Sequence, residues 1–479
     1  MTIDELYERC TELALTEPSA AALRFMHETL VLCCAEGLKT VGTGFGSLFS
    51  QVDFLTKHSG MTVAERIEIQ AVRRRSNHTE VPPREQWLQD VRTLARFISA
   101  VFKTSVPDGL TQLIPHSPQT PEHVAPTINL RYLRCIVSTW NEQTIEADTA
   151  DGAHITIDYT EQAYLNKVLR EGMQLNLLDC HVEHDTHIQP GLVVVEPDFL
   201  IDISTLARCF QAEYGHHPLL YTIERLKPRA NSQAILLGNF AGTALDNIIN
   251  QADHRISDSI SQSFREQALQ FCTCEDFNPA TFVAAAQQQC QNISEAVTAL
   301  FTEAGYDRSK ALLEPSFVCE RLGLQGRVDL MTSDMRLLVE QKSGKNYSIE
   351  RPTANIQHKE DHYVQLLLYY GILRYNFGRS DSQVDIRLLY SRYPATQGLL
   401  YVNFYRELFR EAIRLRNKIV ATELLMAREG FGRILPLLQP AVVYKEAKKD
   451  GFYYRYIEPH LSVLSSHLSV RPSAPTSSA

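Results

Sequence analysis

The chain has 479 residues, 44% hydrophobic and 22% charged, with a formal net charge of −9. That composition excludes a generally disordered chain and provides for several domains, at roughly 100–200 residues each. The acidic balance counts against a basic surface over the whole molecule, yet allows local basic patches and is what a carboxylate-rich metal site would add.

Residues 1–115 carry apolar side chains at helical spacing, as in Leu6, Cys10, Leu13 and Leu88, Val91, Leu94, Phe97, Ile98, Val101, which predicts a helical N-terminal region. The start, Met1-Thr-Ile-Asp-Glu-Leu, has no basic segment and no apolar core, so it is not a signal peptide. No apolar run approaches the ~20 residues of a membrane span. A cytoplasmic protein without membrane contact is therefore expected. Arg73-Arg74-Arg75 is either a solvated helix face or a phosphate contact.

A proline-rich linker with Pro115, Pro118, Pro121 and Pro126 comes next. Over 127–204 the pattern changes to short strands: Tyr132–Ser138, Thr144–Asp148 and His154–Tyr159, a helix Glu161–Leu169, then Leu175–Val182 and Gly191–Val195. Three strands, a helix and two strands is the order of an OB-like β-barrel. Such a barrel either binds single strands or is purely structural, since its aromatic and basic residues are few.

Residues 205–445 alternate helices and strands and form the largest unit, and 446–479 is a tail ending in a low-complexity stretch expected to be disordered. No phosphate-binding loop is present, because Ser343-Gly344-Lys345 lacks the preceding glycine. The ten cysteines sit mostly in apolar runs and read as buried reduced thiols. Cys272-Thr-Cys274 with Cys290 could supply three metal ligands only if a fourth came from elsewhere.

The chemistry concentrates in Gly323-Leu-Gln-Gly-Arg-Val-Asp329-Leu-Met331, the turn Thr332-Ser-Asp334, and Met335-Arg-Leu-Leu-Val-Glu340-Gln-Lys342-Ser-Gly-Lys345. Read as strand, turn and strand, these segments put Glu340 and Lys342 on one face and bring Asp329 beside Glu340. Two carboxylates and an ammonium then converge. Hard oxygen ligands of that kind suit Mg²⁺, which can activate water and neutralise phosphate charge, and a neighbouring lysine can stabilise the transition state. Leu337 and Val339 would bury the strand's other face. Alone, Asp followed by Glu-x-Lys reads better as a solvated hairpin than as a nuclease site.

Three further features bear on that choice. Glu314 precedes Asp329 by 15 residues. Gln365 and Tyr369 stand four apart on one helix face. Asp246 lies on a helix opened by Gly238-Asn-Phe-Ala-Gly-Thr, either as a surface residue of its N-terminal half or as an acid beside the metal.

Taken together, Glu314, Gly326-Arg-Val-Asp329, Glu340-Gln-Lys342-Ser-Gly-Lys345 and Gln365-x-x-x-Tyr369 resemble the RecB-like branch of the PD-(D/E)XK nucleases, and within it the nuclease module of replication and repair helicase–nucleases. The resemblance covers about residues 205–440. It implies an α/β restriction-endonuclease-like core with a mixed central sheet flanked by helices, and metal-dependent cleavage of DNA with Mg²⁺ or Mn²⁺. Carried over by position, Asp329 and Glu340 resemble the metal-binding acids, Lys342 the catalytic lysine and Glu314 the acid that precedes the core. Gln365 and Tyr369, with Lys345 nearby, resemble the substrate-contacting elements. Asp246 stands where the branch usually has histidine and would act as a metal ligand.

Iron–sulfur members need three cysteines after the tyrosine element. Here none follows Cys319, so no cluster is expected. A helicase would have to be a separate chain or a missing segment. Arg225, Lys227 and Arg229, and Arg406, Arg410 and Arg414, could line a DNA channel or simply be solvated. The reading is a DNA nuclease acting on single strands, flaps or ends in repair or replication. The alternatives are a catalytically weak, nuclease-fold subunit that binds DNA and scaffolds a helicase, and a restriction or defence endonuclease, which would share the chemistry but not the Q-x-x-x-Y element.

Overall fold

The computed structural model describes residues 2–41, 45, 47–117, 130–184, 186–228, 231–250, 255–350 and 358–449. Pro118, Pro121, Pro126, Arg229 and residues 450–479 lie outside the described residues. The chain divides into two compact units, one of residues 1–199 with 423–433, the other of residues 200–422 with 434–479. No helix among the described residues is long and apolar enough to cross a membrane.

The first unit opens with the helices α1 (Ile3–Leu15), α2 (Ala20–Gly37), α3 (Leu48–His58), α4 (Val63–Ser76), α5 (Arg84–Phe102) and α6 (Asp108–Thr111). Thr2 and Thr62 cap α1 and α4 with capping boxes closed by Glu5 and Glu65. The apolar stripes read from the sequence meet in one core around Leu6, Met26, Trp87, Leu94 and Phe97, all fully buried. The Trp87 indole N–H still finds the Leu13 carbonyl at 2.9 Å.

The same unit holds β1 (Tyr132–Trp140), β2 (Thr144–Thr149), β3 (His154–Asp158), β4 (Gln174–His184) and β5 (His187–Val195), with a 3₁₀ segment over Thr160–Lys167 between β3 and β4. The strands close into a barrel in the order β1-β2-β3-β5-β4, with β3 and β5 parallel. Inward residues such as Ile145, Ile155, Leu175 and Val193 fill it, which alternation along each strand dictates. Each arginine of the run has a partner inside this unit: Arg75 Nε donates to Asp90 at 2.9 Å, Arg74 pairs with Asp151, and Arg73 bonds Gln70 at 2.7 Å with its guanidinium over the Phe49 ring.

The second unit runs β6 (Ile201–Asp202), α7 (Ile203–Ala207), α8 (Pro218–Leu226), α9 (Gln233–Asn250), α10 (Ile256–Glu266), α11 (Ala268–Cys272) and α12 (Pro279–Thr298), then β7 (Ala311–Leu313), β8 (Ser316–Cys319), β9 (Leu324–Arg327), β10 (Leu330–Thr332) and β11 (Leu337–Lys342). After α13 (Tyr347–Glu350) and α14 (Glu360–Phe377) come β12 (Asp385–Tyr390), α15 (Ala395–Gly398), β13 (Leu399–Tyr401), α16 (Arg406–Glu429, whose residues from Glu423 on belong to the first unit) and α17 (Pro440–Lys449). This is a mixed α/β architecture. A sheet ordered β13-β12-β11-β10-β7 has β11 and β12 parallel and the remaining pairs antiparallel. A smaller sheet has the order β6-β9-β8.

Leu330, Leu337, Val339 and Leu389 pack from the larger sheet onto α9 and α12 through Phe240, Leu245, Phe282 and Ile293. Helix α14 is buried along nearly its whole length, from Val364 to Leu373, which explains its apolar run Leu366-Leu-Leu368 better than a one-sided stripe would. It ends where Gly378 takes the left-handed conformation at φ 67°.

Candidate active site

The hairpin forms where the sequence places it. β10 and β11 pair antiparallel with Leu330 opposite Val339, and Met335 N bonds back to Thr332 O at 2.8 Å across the turn. Leu337 and Val339 are fully buried on the core side, so Glu340 and Lys342 share a direction with Leu338, opposite to theirs.

The strand leading into the hairpin differs from expectation. Gly323 to Met331 is not one strand: β9 belongs to the small sheet, β10 to the large one, and the chain bends between them at Val328-Asp329. The cause is a specific clasp. Tyr369 Oη donates to the Arg327 carbonyl at 2.7 Å, and a Cβ on Gly326 would stand 2.8 Å from the Tyr369 ring. The bend turns Asp329 so that its Oδ2 accepts the Gln341 backbone N–H at 2.7 Å, which ties it to the strand carrying Glu340 and Lys342.

Lys342, Glu340 and Gln365 form a closed hydrogen-bonded triangle. Lys342 Nζ donates to Glu340 Oε1 and to Gln365 Oε1, both at 2.9 Å, and Gln365 Nε2 donates to Glu340 Oε1 at 2.7 Å. Gln365 Nε2 also approaches Tyr369 Oη at 3.4 Å. The i, i+4 relation on α14 therefore does what its spacing allows: one residue braces the lysine and the next braces the bend before Asp329. Glu340, Gln365 and Tyr369 are only 3%, 6% and 2% exposed, so the bonds among them are shielded from water.

Electrostatics mark the cluster as strained. Burial pushes the Glu340 carboxyl up to about 8; Asp329 adds to the rise and Lys342 opposes it. Burial also raises Asp329, with Glu314 adding to the rise and Lys342, the Gln341 N–H and Arg327 opposing it. The Lys342 ammonium is raised on balance, because Glu340 and Asp329 outweigh its desolvation. Asp246 is pushed up to about 6 by burial and then by the Glu314 and Asp329 charges, with Arg327 pulling the other way. The Glu314 charge thus acts on both Asp246 and Asp329, and its own N–H bonds the Asp329 carbonyl at 3.0 Å.

The surrounding residues fall into place differently from their sequence reading. Helix α9 begins at Gln233 rather than at Gly238, and Asp246 lies in its C-terminal half. Gly238 serves a close approach, since a Cβ there would meet Ser343 Oγ at 3.3 Å. Glu314 is exposed, has a left-handed backbone (φ 49°), and pairs with Arg327 at 3.0 Å. Lys345 is exposed in the loop after β11 and takes no part in the triangle. Arg410 and Arg414 lie 3.7 and 3.8 Å from Glu407 and Glu411 along α16.

Sequence reasoning missed the contributions of Gln341 and Arg327. Gln341 donates through its side chain to the Ala241 carbonyl at 3.1 Å, and so links α9 to β11. Both residues sit inside the quoted motifs, but alternation of faces says only that Gln341 points to the core. It does not say that the core offers a carbonyl there.

A hard divalent cation fits the donor set. Glu340 Oε2 is buried with no hydrogen-bond partner, and burial raises both the Glu340 and the Asp329 carboxyls, so a cation would stabilise their ionised forms. Among the described residues no three His, Cys, Asp or Glu side chains are grouped as a ready-made metal cage. Mg²⁺ does not require one: it commonly uses one or two carboxylates, completing its shell with water and substrate phosphate.

No family model matches this chain, and no curated protein matches it. Among solved structures, a chain from Eubacterium rectale titled "Putative exonuclease" is similar with a TM-score of 0.31 and 12% identity, over 49% of this chain and 82% of that one. A likeness that slight carries no argument about activity.

Proposed function

We propose that the second unit is a metal-dependent nuclease that hydrolyses phosphodiester bonds in DNA, acting on single strands, flaps or ends. One observation carries the reading: Asp329, Glu340 and Lys342 converge, and Gln365 and Tyr369 hold them there. That joint arrangement is what the PD-(D/E)XK resemblance implies, and a solvated hairpin would have no reason to bury it.

In this mechanism Asp329 and Glu340, with Asp246, would hold Mg²⁺ or Mn²⁺. When bound, the ion would supply a more acidic water and a positive charge against the phosphate. The chain's own groups do the rest. Lys342 uses two of its three N–H donors on Glu340 and Gln365, and the third serves the attacking water or a phosphate oxygen. Gln365 fixes the ammonium in position, and Tyr369 fixes the backbone bend that presents Asp329. No step needs an iron–sulfur cluster.

The test is cleavage of single-stranded, flapped and duplex DNA with and without Mg²⁺ or Mn²⁺, with Asp329→Ala and Lys342→Ala in parallel. Metal-dependent cutting that both substitutions abolish supports the reading. Cutting that survives both substitutions contradicts it, and DNA binding without any cutting supports a binding subunit instead.

A further inference from the structure

Arg327 combines a fixed root with an exchangeable tip. Its carbonyl is clasped by Tyr369 Oη at 2.7 Å, its neighbour Gly326 lies against the Tyr369 ring, and its backbone pairs with Ser316 across β8 and β9. Its side chain, by contrast, is 61% exposed. One guanidinium nitrogen reaches Glu314 Oε2 at 3.0 Å, and no other side-chain bond from Arg327 joins it to a described residue. Most of the five N–H donors of that fork are therefore unused. An exposed, single-contact pair contributes little to stability, because water and salt screen it.

The partner is held less freely than the arginine. Glu314 keeps a left-handed backbone, uncommon for a residue with a side chain. Its N–H bonds the Asp329 carbonyl at 3.0 Å, and Val328 N bonds the Pro315 carbonyl at 3.1 Å. Those bonds lock Glu314 beside Asp329 whatever Arg327 does. An exposed cation thus stands beside the carboxylates, attached to the exposed Glu314 that is bonded to the Asp329 backbone.

We propose that Arg327 is an exchangeable counter-ion: it pairs with Glu314 while the carboxylates lack a metal, and moves onto a backbone phosphate of the DNA strand once they hold one. The inference rests on the nuclease reading above and adds a residue to it. A guanidinium is suited to the second role, since its fork can grip two phosphate oxygens at once. It gives contact without sequence preference, because phosphates carry none.

The test exploits opposite signs. Mn²⁺ binding without DNA is followed by electron paramagnetic resonance. Binding of a single-stranded oligonucleotide is followed by fluorescence anisotropy with Ca²⁺ replacing Mg²⁺. Arg327→Gln should tighten Mn²⁺ about three- to tenfold, because a repelling charge is gone. It should weaken DNA binding about five- to tenfold and make the salt dependence shallower by about one phosphate contact. Arg327→Lys should recover most of the DNA affinity. A merely structural arginine would weaken both or move neither, and either result overturns the proposal. Asp329→Asn separates the two claims. If it leaves Mn²⁺ binding unchanged, the nuclease site itself is misread. If it abolishes Mn²⁺ binding while Arg327→Gln moves both affinities down or neither, only the arginine's role is overturned.

Discussion

Replacing Asp246 by asparagine should make the metal-free protein more stable at neutral and alkaline pH. The Asp246 carboxyl is pushed up to about 6 from an ordinary 3.8, by burial and by Glu314 and Asp329. For an acid whose folded value is raised, the fold favours the protonated form. Its ionisation therefore costs nothing below the unfolded value, costs progressively more between the two values, and costs the full amount above the folded one. Two units at about 1.4 kcal/mol each give roughly 3 kcal/mol, which partial exposure reduces to about 1–2 kcal/mol. Urea unfolding in EDTA should show Asp246→Asn ahead by that amount at pH 8, by about half as much at pH 5, and by nothing as pH falls below the unfolded value. With saturating Mg²⁺ the order should narrow or reverse, since the parent gains more from the ion. An asparagine variant that is less stable at pH 8, or whose advantage does not change with pH, would refute the claim that Asp246 sits in a crowd of like charges.

Other outcomes follow from the same geometry. Gln365→Ala should lower cleavage about 10–100-fold while the fold survives, as expected when a supporting partner of a site residue is lost; single-turnover rates with circular dichroism check it. Tyr369→Phe removes the bond to the Arg327 carbonyl and should cost about 1 kcal/mol in urea unfolding, with reduced cleavage. Gly326→Ala drives a methyl against the Tyr369 ring and should cost about 1–3 kcal/mol by the same measurement. Because Glu340 must lose its proton to hold a metal and is raised to about 8 in the metal-free site, Mn²⁺ affinity should climb with pH up to about 8 and then level off, as read by calorimetry.

Much of the large unit was legible in the chain because its signals are short-range. Strand alternation places Glu340 and Lys342 together, and the i, i+4 relation places Gln365 with Tyr369. Likewise, the strand-helix-strand order over 132–195 matches the closed β1-β2-β3-β5-β4 ring. What stayed hidden depends on contacts between distant segments. The break between β9 and β10 is made by a tyrosine 42 residues further on, and no local propensity at Val328 announces it. The arginines at 73–75 look like a free basic run, and only the positions of Gln70, Asp90 and Asp151 show that each is engaged. A helix start at Gly238 is the local expectation, because glycine looks like a boundary, whereas α9 starts at Gln233 and the missing Cβ of Gly238 makes room for Ser343.

The most direct measurement is cleavage of a flapped, single-strand-tailed DNA by the purified chain in Mg²⁺, in EDTA, and in Mg²⁺ with Lys342→Ala. The expected result is cutting in Mg²⁺ alone, abolished by EDTA and reduced at least ~100-fold by the substitution. Cutting of equal rate in the Lys342→Ala protein, or none by the parent on any DNA with either Mg²⁺ or Mn²⁺, would contradict a nuclease built on Asp329, Glu340 and Lys342.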